Sequence, residues 1–204
     1  MNTIACQCLS CTNAASIYVV RVENRVLFAE KRLCQNHANN YLDDILRRHC
    51  SGGCVGRAIS HGLNRVVPVD LNLIVYGQSL SYERAPCLVY LAEVGGVRRL
   101  AIPTGYFETS NLQWELKGDT FRRPPTHRMV SDLASLTGGR LENAVIDRYH
   151  EHEQIYEAKL HFTYGGGSVE LDVRPSDAFA VAVACHAPIL VSIDILEKME
   201  VKRG

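Results

Sequence analysis

The chain has 204 residues, of which 47% are hydrophobic, and its 22 basic and 22 acidic residues give a formal net charge of zero. This length accommodates one full domain and a small additional module. Zero net charge excludes a globally basic nucleic-acid binder, so such binding would need a local basic patch. The sequence has no apolar run of about 18 residues and no secretory signal at its start, so we expect a cytoplasmic protein with no membrane segment.

The first part of the chain, residues 1–50, has the pattern of a zinc module. Two short-spaced Cys/His pairs flank strand-like runs at residues 17–22 and 26–29. A hairpin would bring both pairs together as the four ligands that zinc requires, in a treble-clef-like or zinc-ribbon-like finger with structural Zn²⁺. The expected ligands are Cys8, Cys11, Cys34 and His37, with Cys6 as an alternative to Cys8. The plainer alternative is a set of unrelated thiols and one core histidine.

A Gly/Ser-rich passage at residues 51–65 is the expected linker, and Cys50 and Cys54 are interpreted as unpaired thiols at and within it. Residues 66–204 then form the main domain. Its predicted strands lie at residues 66–75, 87–91, 98–102, 143–147, 155–163 and 168–173. A helix is expected at residues 129–136 with Thr126 as its N-cap and Gly138 as its C-cap. Strands and helices that do not strictly alternate indicate an α+β class with a mixed or antiparallel sheet.

The last part of the domain predicts a strand, a sharp corner, a buried helix and a second strand. Alternation over residues 169–173 stops at Pro175, and Ser176 and Asp177 stand where a helix favours a capping oxygen and a negative first turn. An apolar helix then extends to residue 184, before a strand at residues 189–192. The corner gathers Asp172, Arg174, Ser176 and Asp177, which suits a metal ion or a phosphate. An ion pair with a helix cap is the plainer interpretation.

Three motifs carry a family resemblance. Asp172-Val-Arg-Pro-Ser-Asp-Ala178, followed by Ala187-Pro-Ile189, resembles the signature of the bifunctional nuclease family. Ile102-Pro-Thr-Gly-Tyr-Phe-Glu108 and Arg123-Pro-Pro-Thr-His127 resemble the family's two upstream segments, so the resemblance covers about residues 66–198. It also implies a helix near residues 107–116, whose apolar pattern is irregular. It implies hydrolysis of phosphodiester bonds in DNA or RNA, and a homo-oligomer, expected to be a dimer.

The resemblance also implies site residues. The implied catalytic residues are Glu108, His127, Asp172, Arg174 and Asp177. The three carboxylates would hold Mg²⁺ or Mn²⁺, the arginine would clamp a phosphate, and the histidine would act as general acid or base. Arg122, Arg123 and Arg128 flank His127 in the sequence, so they are expected, with Ser176, to contact the substrate if they also flank it in space. The plain structural interpretation is a solvated surface for the arginines, and a cap, an ion pair or a backbone contact for the other side chains.

The sequence departs from the family pattern at three places. Arg128 replaces a residue that is often acidic, His186 replaces a frequent glycine, and polar residues at 110–115 replace small apolar ones. That helix would therefore be more exposed or would face a different partner. The cluster at residues 150–153 is interpreted as a polar turn. Two other functions stay open: a module that binds nucleic acid or a nucleotide without cutting, and an adaptor whose zinc module docks a protein on a dimeric platform.

Overall fold

The structure, a computed structural model, describes residues 5–8, 11–12, 17–23, 25–48, 59–61, 64–77, 87–118, 120 and 122–199. The elements in chain order are β1 (Ile17–Glu23), β2 (Val26–Leu33), α1 (Gln35–Arg48), β3 (Ile59–His61), β4 (Asn64–Gly77), β5 (Cys87–Glu93), β6 (Arg99–Thr104), α2 (Tyr106–Lys117), α3 (Thr126–Leu136), β7 (Arg140–His150), β8 (Ile155–Tyr164), β9 (Gly167–Val173), α4 (Pro175–Ala184), β10 (Ile189–Ser192) and α5 (Ile193–Met199). This mixture of strands and helices confirms the α+β class.

The ten strands of the described residues form one sheet, in which β2-β1-β4-β10-β7-β8-β9 are consecutive neighbours and β3, β5 and β6 lie off this path. β4 is central because its residues 66–69 pair with β10 and its residues 73–77 pair with β1. β7 and β10 pair in parallel, and the other pairs described are antiparallel. β9 lies at one end of this order and pairs with β8, so it forms an edge of the sheet.

The main core forms where α4 packs on the sheet. Seven consecutive residues of α4, 178–184, are buried, which matches the prediction of a helix that is apolar on nearly all sides. Phe179 at its centre is completely buried. α4 contacts β7 and β8 below it and α2 and α3 beside it. The three helices therefore share one face of the sheet.

The N-terminal hairpin belongs to the same sheet. Val20 and Val22 of β1 enter the main core, whereas Ile17 and Val19 face a second core with Cys34, as the alternation of a strand requires. Residues 50–58 and 62–63, including Cys50 and Cys54, lie outside the described residues. The division at residues 50 and 65 stays a prediction.

Helix ends differ in detail from the sequence prediction. Pro125, not Thr126, is the N-cap of α3, and Arg174 is the N-cap of α4, so Ser176 does not cap that helix. At the other end of α4, His186 has a φ of 54°, which is the left-handed conformation of many helix ends. A residue that takes the place of glycine there must adopt it. None of the helices in the described part of the chain has both the length and the apolar character that a membrane crossing requires.

Candidate functional site

Four side chains near the N-terminus form a tight cluster. The ligand atoms of Cys6, Cys11, Cys34 and His37 all lie within 4.8 Å of one another. Cys34 follows β2 directly and His37 lies in the first turn of α1, so the strand-to-helix junction fixes one pair. The other pair comes from the segment before β1. Cys6, the alternative to Cys8 in the sequence prediction, is thus the fourth member of the cluster in the structure.

The spacing of these donors fits tetrahedral zinc. Cys11 Sγ and Cys34 Sγ are 3.9 Å apart, and His37 Nδ1 lies 3.5 Å from Cys6 Sγ and 3.3 Å from Cys34 Sγ. Zinc bonds of ordinary length place two sulfurs about 3.8 Å apart and a sulfur and a nitrogen about 3.6 Å apart. Burial acts to raise the pKa of the Cys6 thiol, but hydrogen bonds from the Cys8 and Cys34 backbone lower it to about 7, which favours the thiolate that binds metal.

A second feature is a cavity of about 480 Å³ in the main domain, where α2, α3 and α4 all begin. Each helix contributes its first turn to the lining, with Glu108 from α2, His127 from α3, and Ser176 and Asp177 from α4. Within the described residues, none of these three helices has a side chain bonded at its N-cap. Pro175 at the start of α4 has no N–H, but the other N–H groups of the three first turns and the positive ends of the dipoles favour an anion here.

Arg174 joins two of these helix starts. Its Nε donates to Asp177 Oδ2 at 2.9 Å, its Nη2 donates to Asp177 Oδ1 at 3.3 Å, and its Nη1 donates to Glu108 Oε1 at 3.0 Å. A guanidinium carries five N–H donors, and contacts within the described residues use three of them, which leaves two for a phosphate. The side chain is 67% exposed, so a ligand can reach these donors.

Gly105 makes room for this arrangement. A Cβ atom at residue 105 would lie 2.2 Å from Glu108 Oε2. The carboxylate thus occupies the space that any larger residue would fill, and the glycine directly before α2 lets Glu108 turn back along its own helix start.

His127 is a buried side chain in the wall of the cavity. Its Nε2 lies 2.9 Å from Oε2 of Glu115, and both side chains are nearly inaccessible to solvent. Arg128 donates to the other oxygen of the same carboxylate. Glu115 therefore occupies Nε2 of the ring. Glu115 thus fixes the orientation and the tautomer of the imidazole.

Glu115 lies in none of the sequence motifs, although its spacing along α2 is a signal of its position. Glu108, Asn111 and Glu115 are spaced at i, i+3 and i+7, so they share one face of α2. The expectation that polar residues make this helix more exposed was wrong for Gln113 and Glu115, which are both buried.

Instead, α2 faces the N-terminal hairpin. Gln113 accepts from Tyr76 Oη at 2.7 Å and donates to Tyr18 Oη at 3.1 Å and to Glu30 Oε1 at 2.9 Å. Lys117 also pairs with Glu30 at 2.7 Å. The helix that carries Glu108 and Glu115 is thereby tied to the sheet region next to the cysteine cluster.

Other predicted site residues lie elsewhere. Leu171 and Val173 of β9 line the cavity, so Asp172 between them points to the opposite face of the sheet and lines a separate cavity of about 380 Å³ with Arg148 and Lys159. Arg122 and Arg123 are exposed before α3 and are not part of the lining, and Arg128 is engaged by Glu115. The cluster at residues 150–153 ends in an exposed turn, with His150 Nε2 2.6 Å from Glu157 Oε1.

The Mg²⁺ or Mn²⁺ site expected at Glu108, Asp172 and Asp177 does not fit these positions. Asp172 is on the other face, and Arg174 lies between the remaining two carboxylates, where its charge would repel a cation. Among the described residues, the cysteine cluster is the one group of three or more His, Cys, Asp or Glu side chains close enough to share a metal ion. We therefore assign no divalent cation to the cavity.

Comparison with known proteins agrees with the motifs. Residues 89–203 match the bifunctional nuclease domain family. Uncharacterized proteins from Mycobacterium tuberculosis strains CDC 1551 / Oshkosh and H37Rv are each 30% identical to this chain over 115 residues, which is 56% of this chain. The match spans 66% of the length of these relatives. More than half of the chain, including α2, α3, α4 and the whole cavity between them, thus lies within the matched region, and the protein belongs to the bifunctional nuclease domain family.

Proposed function

We propose that this protein is a nuclease and that the cavity at the start of α2, α3 and α4 cleaves phosphodiester bonds. The observation that carries the proposal is the convergence of three uncapped helix starts, the Arg174 guanidinium and the Glu115–His127 pair on one cavity. Family membership supports a nuclease-like protein. The cavity volume of about 480 Å³ suits one nucleotide rather than a double helix.

The residues divide the chemistry between them. Arg174 and the helix N–H groups would bind the phosphate and stabilise the negative charge that develops on its oxygens. His127 would take a proton from the attacking hydroxyl as a general base. Glu115 would hold the ring in position. Glu108 and Asp177 would orient Arg174, and Ser176 would supply a hydroxyl at the same wall.

We further propose that Cys6, Cys11, Cys34 and His37 bind structural Zn²⁺. Four protein donors complete a tetrahedral shell and leave no open position for a substrate. Thiolates of this kind persist in a reducing compartment, which agrees with the expected cytoplasmic location. The dimer and a protein partner of this module stay predictions.

The test is a cleavage assay on labelled single-stranded RNA, single-stranded DNA and plasmid, with Mg²⁺, Mn²⁺ or EDTA. His127→Gln keeps an amide that can donate to Glu115 but removes the base, so we expect at least about a 100-fold loss of rate. Arg140→Ala is the matched control, because its pair with Glu142 is exposed and lies outside the cavity lining. Thermal unfolding of each variant checks its fold.

Cutting that is lost in His127→Gln and kept in Arg140→Ala supports the proposal. Cutting of every polymer at the same rate by both variants would identify a contaminant and contradict it. If the folded protein binds single strands but cuts none, the cavity is a binding site without nuclease activity.

A further inference from the structure

The N-terminal hairpin of β1 and β2 lies between the cysteine cluster and the helices that line the cavity. At one end it leads into the cluster, because Cys34 follows β2 directly. Residues 5–8, which carry Cys6, lie along the same strand. There Gln7 N donates to Arg32 O at 3.0 Å, and Gln7 Oε1 accepts from Arg32 N at 2.6 Å. A metal ion held by the cluster would therefore fix both this segment and the end of β2.

The same hairpin contacts α2 through a buried polar network. Gln113 in α2 is buried, and its side-chain oxygen accepts from Tyr76 of β4. Its side-chain nitrogen donates both to Tyr18 of β1 and to Glu30 of β2. Burial raises the pKa of Tyr76, so this hydroxyl stays protonated and remains a donor. One amide thus connects α2 to three strands, and a shift of any of them would break a buried hydrogen bond.

The position of α2 bears directly on the cavity. The helix is continuous over 12 residues, with Gln113 in its second half and Glu108 in its first turn. Glu108 accepts from Arg174 Nη1 at 3.0 Å, so a shift of α2 as a rigid unit moves one of the two carboxylates that hold this guanidinium. The hairpin also touches the segment directly after α4, since Arg25 Nη1 donates to Ala187 O at 2.5 Å.

We propose that zinc binding at the cysteine cluster raises the affinity of the cavity for an anionic ligand, and that Gln113 carries this coupling as a positioning residue. The inference rests on the proposed function, in which the cavity binds a phosphate. With zinc bound, β2 is held in one position and Gln113 keeps α2 where Glu108 directs Arg174. Without zinc, β2 and α2 move together, and Arg174 loses one of its two partners. A coupling between two binding sites is reciprocal, so the anionic ligand must also raise the affinity for zinc by the same factor.

The experiment measures both directions of the coupling in the full-length protein. Thymidine 5′-monophosphate is the probe, because it offers one phosphate and contains no phosphodiester bond. Calorimetry gives its Kd for the zinc-loaded protein and for the same protein after a chelator has removed the zinc, at a temperature at which circular dichroism shows a folded chain. Couplings between sites are typically about 5–150-fold, so we expect binding that is at least about 5-fold tighter with zinc. The zinc affinity, measured by competition with a chromophoric chelator, should rise by the same factor at saturating nucleotide.

Variants separate this coupling from stability. In Gln113→Leu we expect the factor to fall below about 2-fold, and in Tyr76→Phe, which keeps the buried ring, to fall part of the way. A role in stability alone would change Tm but not the ratio of the two nucleotide affinities. Arg140→Ala is the control and should keep the whole factor, because its pair with Glu142 is exposed and lies outside the cavity lining.

Arg174→Ala shows whether the probe occupies the cavity, since it should weaken nucleotide binding both with and without zinc. If binding depends on Arg174 but is equal with and without zinc, the inference is overturned and the proposed function stands. An unchanged factor in Gln113→Leu would also overturn it, because the coupling would not pass through this side chain. If zinc removal unfolds the whole chain at every temperature, zinc has a structural role alone and the inference is wrong.

A second measurement does not depend on ligand binding. If the nucleotide does not bind at all, the anion site of the proposed function fails, and hydrogen exchange tests the link between zinc and α2 by itself. The amides of α2 should exchange at least about 5-fold faster after zinc removal in the wild type, and this difference should be lost in Gln113→Leu. Equal exchange with and without zinc would overturn the inference.

Discussion

The cysteine cluster and the cavity differ in how their polar groups are used. In the cluster, four donors from residues 6–37 face one another within 4.8 Å and leave no space for a ligand larger than an ion. In the cavity, groups from three helices face a volume of about 480 Å³, and Arg174 stays largely exposed while it holds two carboxylates. The comparison shows that a closed set of soft donors suits a structural metal, whereas an open set of fixed charges suits reversible binding and chemistry.

The largest effect of a substitution is expected at the cysteine cluster, on its affinity for zinc. Cys6→Ser should lower zinc affinity at least about 100-fold, because even the loss of an outer partner of a metal ligand costs 10–100-fold. The matched control is Cys8→Ser, since Cys8 lies near the cluster but is not one of its four donors. Zinc content after dialysis against a chelator measures the difference. If Cys6→Ser keeps zinc and Cys8→Ser loses it, the fourth ligand is Cys8, as the sequence spacing predicted.

A smaller effect, a loss of stability, is expected at the contacts between α2 and the N-terminal hairpin. Gln113→Leu leaves the hydroxyl of Tyr76 and the carboxylate of Glu30 without their buried partner, so we expect a loss of about 1–3 kcal/mol of stability. Lys117→Met breaks a half-exposed ion pair on the same glutamate and should cost less than about 1 kcal/mol.

Unfolding followed both by circular dichroism and by zinc release would show whether the cysteine cluster and the main domain unfold together. β1 pairs with β4 in one sheet, so we expect the two signals to change together in the wild type and to shift together in Gln113→Leu. Zinc release at an unchanged temperature in Gln113→Leu would mean that residues 1–50 unfold as a separate unit.

The features that the sequence predicted best are the strands and helices that follow from a short-range hydrophobic pattern. Alternation located β8 and β9, and the apolar run after Pro175 located α4 and its burial. The two short-spaced pairs indicated a metal cluster, but the path of the chain before β1 decides between Cys6 and Cys8, and spacing does not contain that path.

The cavity was harder to predict because its geometry arises where regular patterns stop. Asp172 and Arg174 are two residues apart, yet the strand ends at Val173 and the corner turns Arg174 toward α2 while Asp172 stays on the opposite face. Glu115 was missed because its role depends on packing between α2 and α3, since its partner His127 is 12 residues away in the chain.

The smallest change in stability is predicted for His186, at the end of α4 that lies away from the cavity. Substitutions there should change stability without changing cleavage. His186 has φ 54° in a helix end where Ala187 N donates to Ala182 O at 2.9 Å and His186 N donates to Val183 O at 3.1 Å. A left-handed conformation costs a residue with a Cβ atom about 1–2 kcal/mol, and part of the gain from glycine is offset by its freer unfolded chain. His186→Gly should therefore add about 0.5–1 kcal/mol of stability, which raises Tm by roughly 1–4 °C in a chain of this size.

His186→Ala is the control, because it keeps the Cβ atom and should give no rise in Tm. Neither change should alter cleavage, because the residue lies outside the cavity lining. A lower Tm in His186→Gly would mean that the imidazole makes contacts that outweigh the backbone cost. A changed cleavage rate at equal stability would mean that the charges of the open cavity depend on both ends of α4 and not on the cavity lining alone.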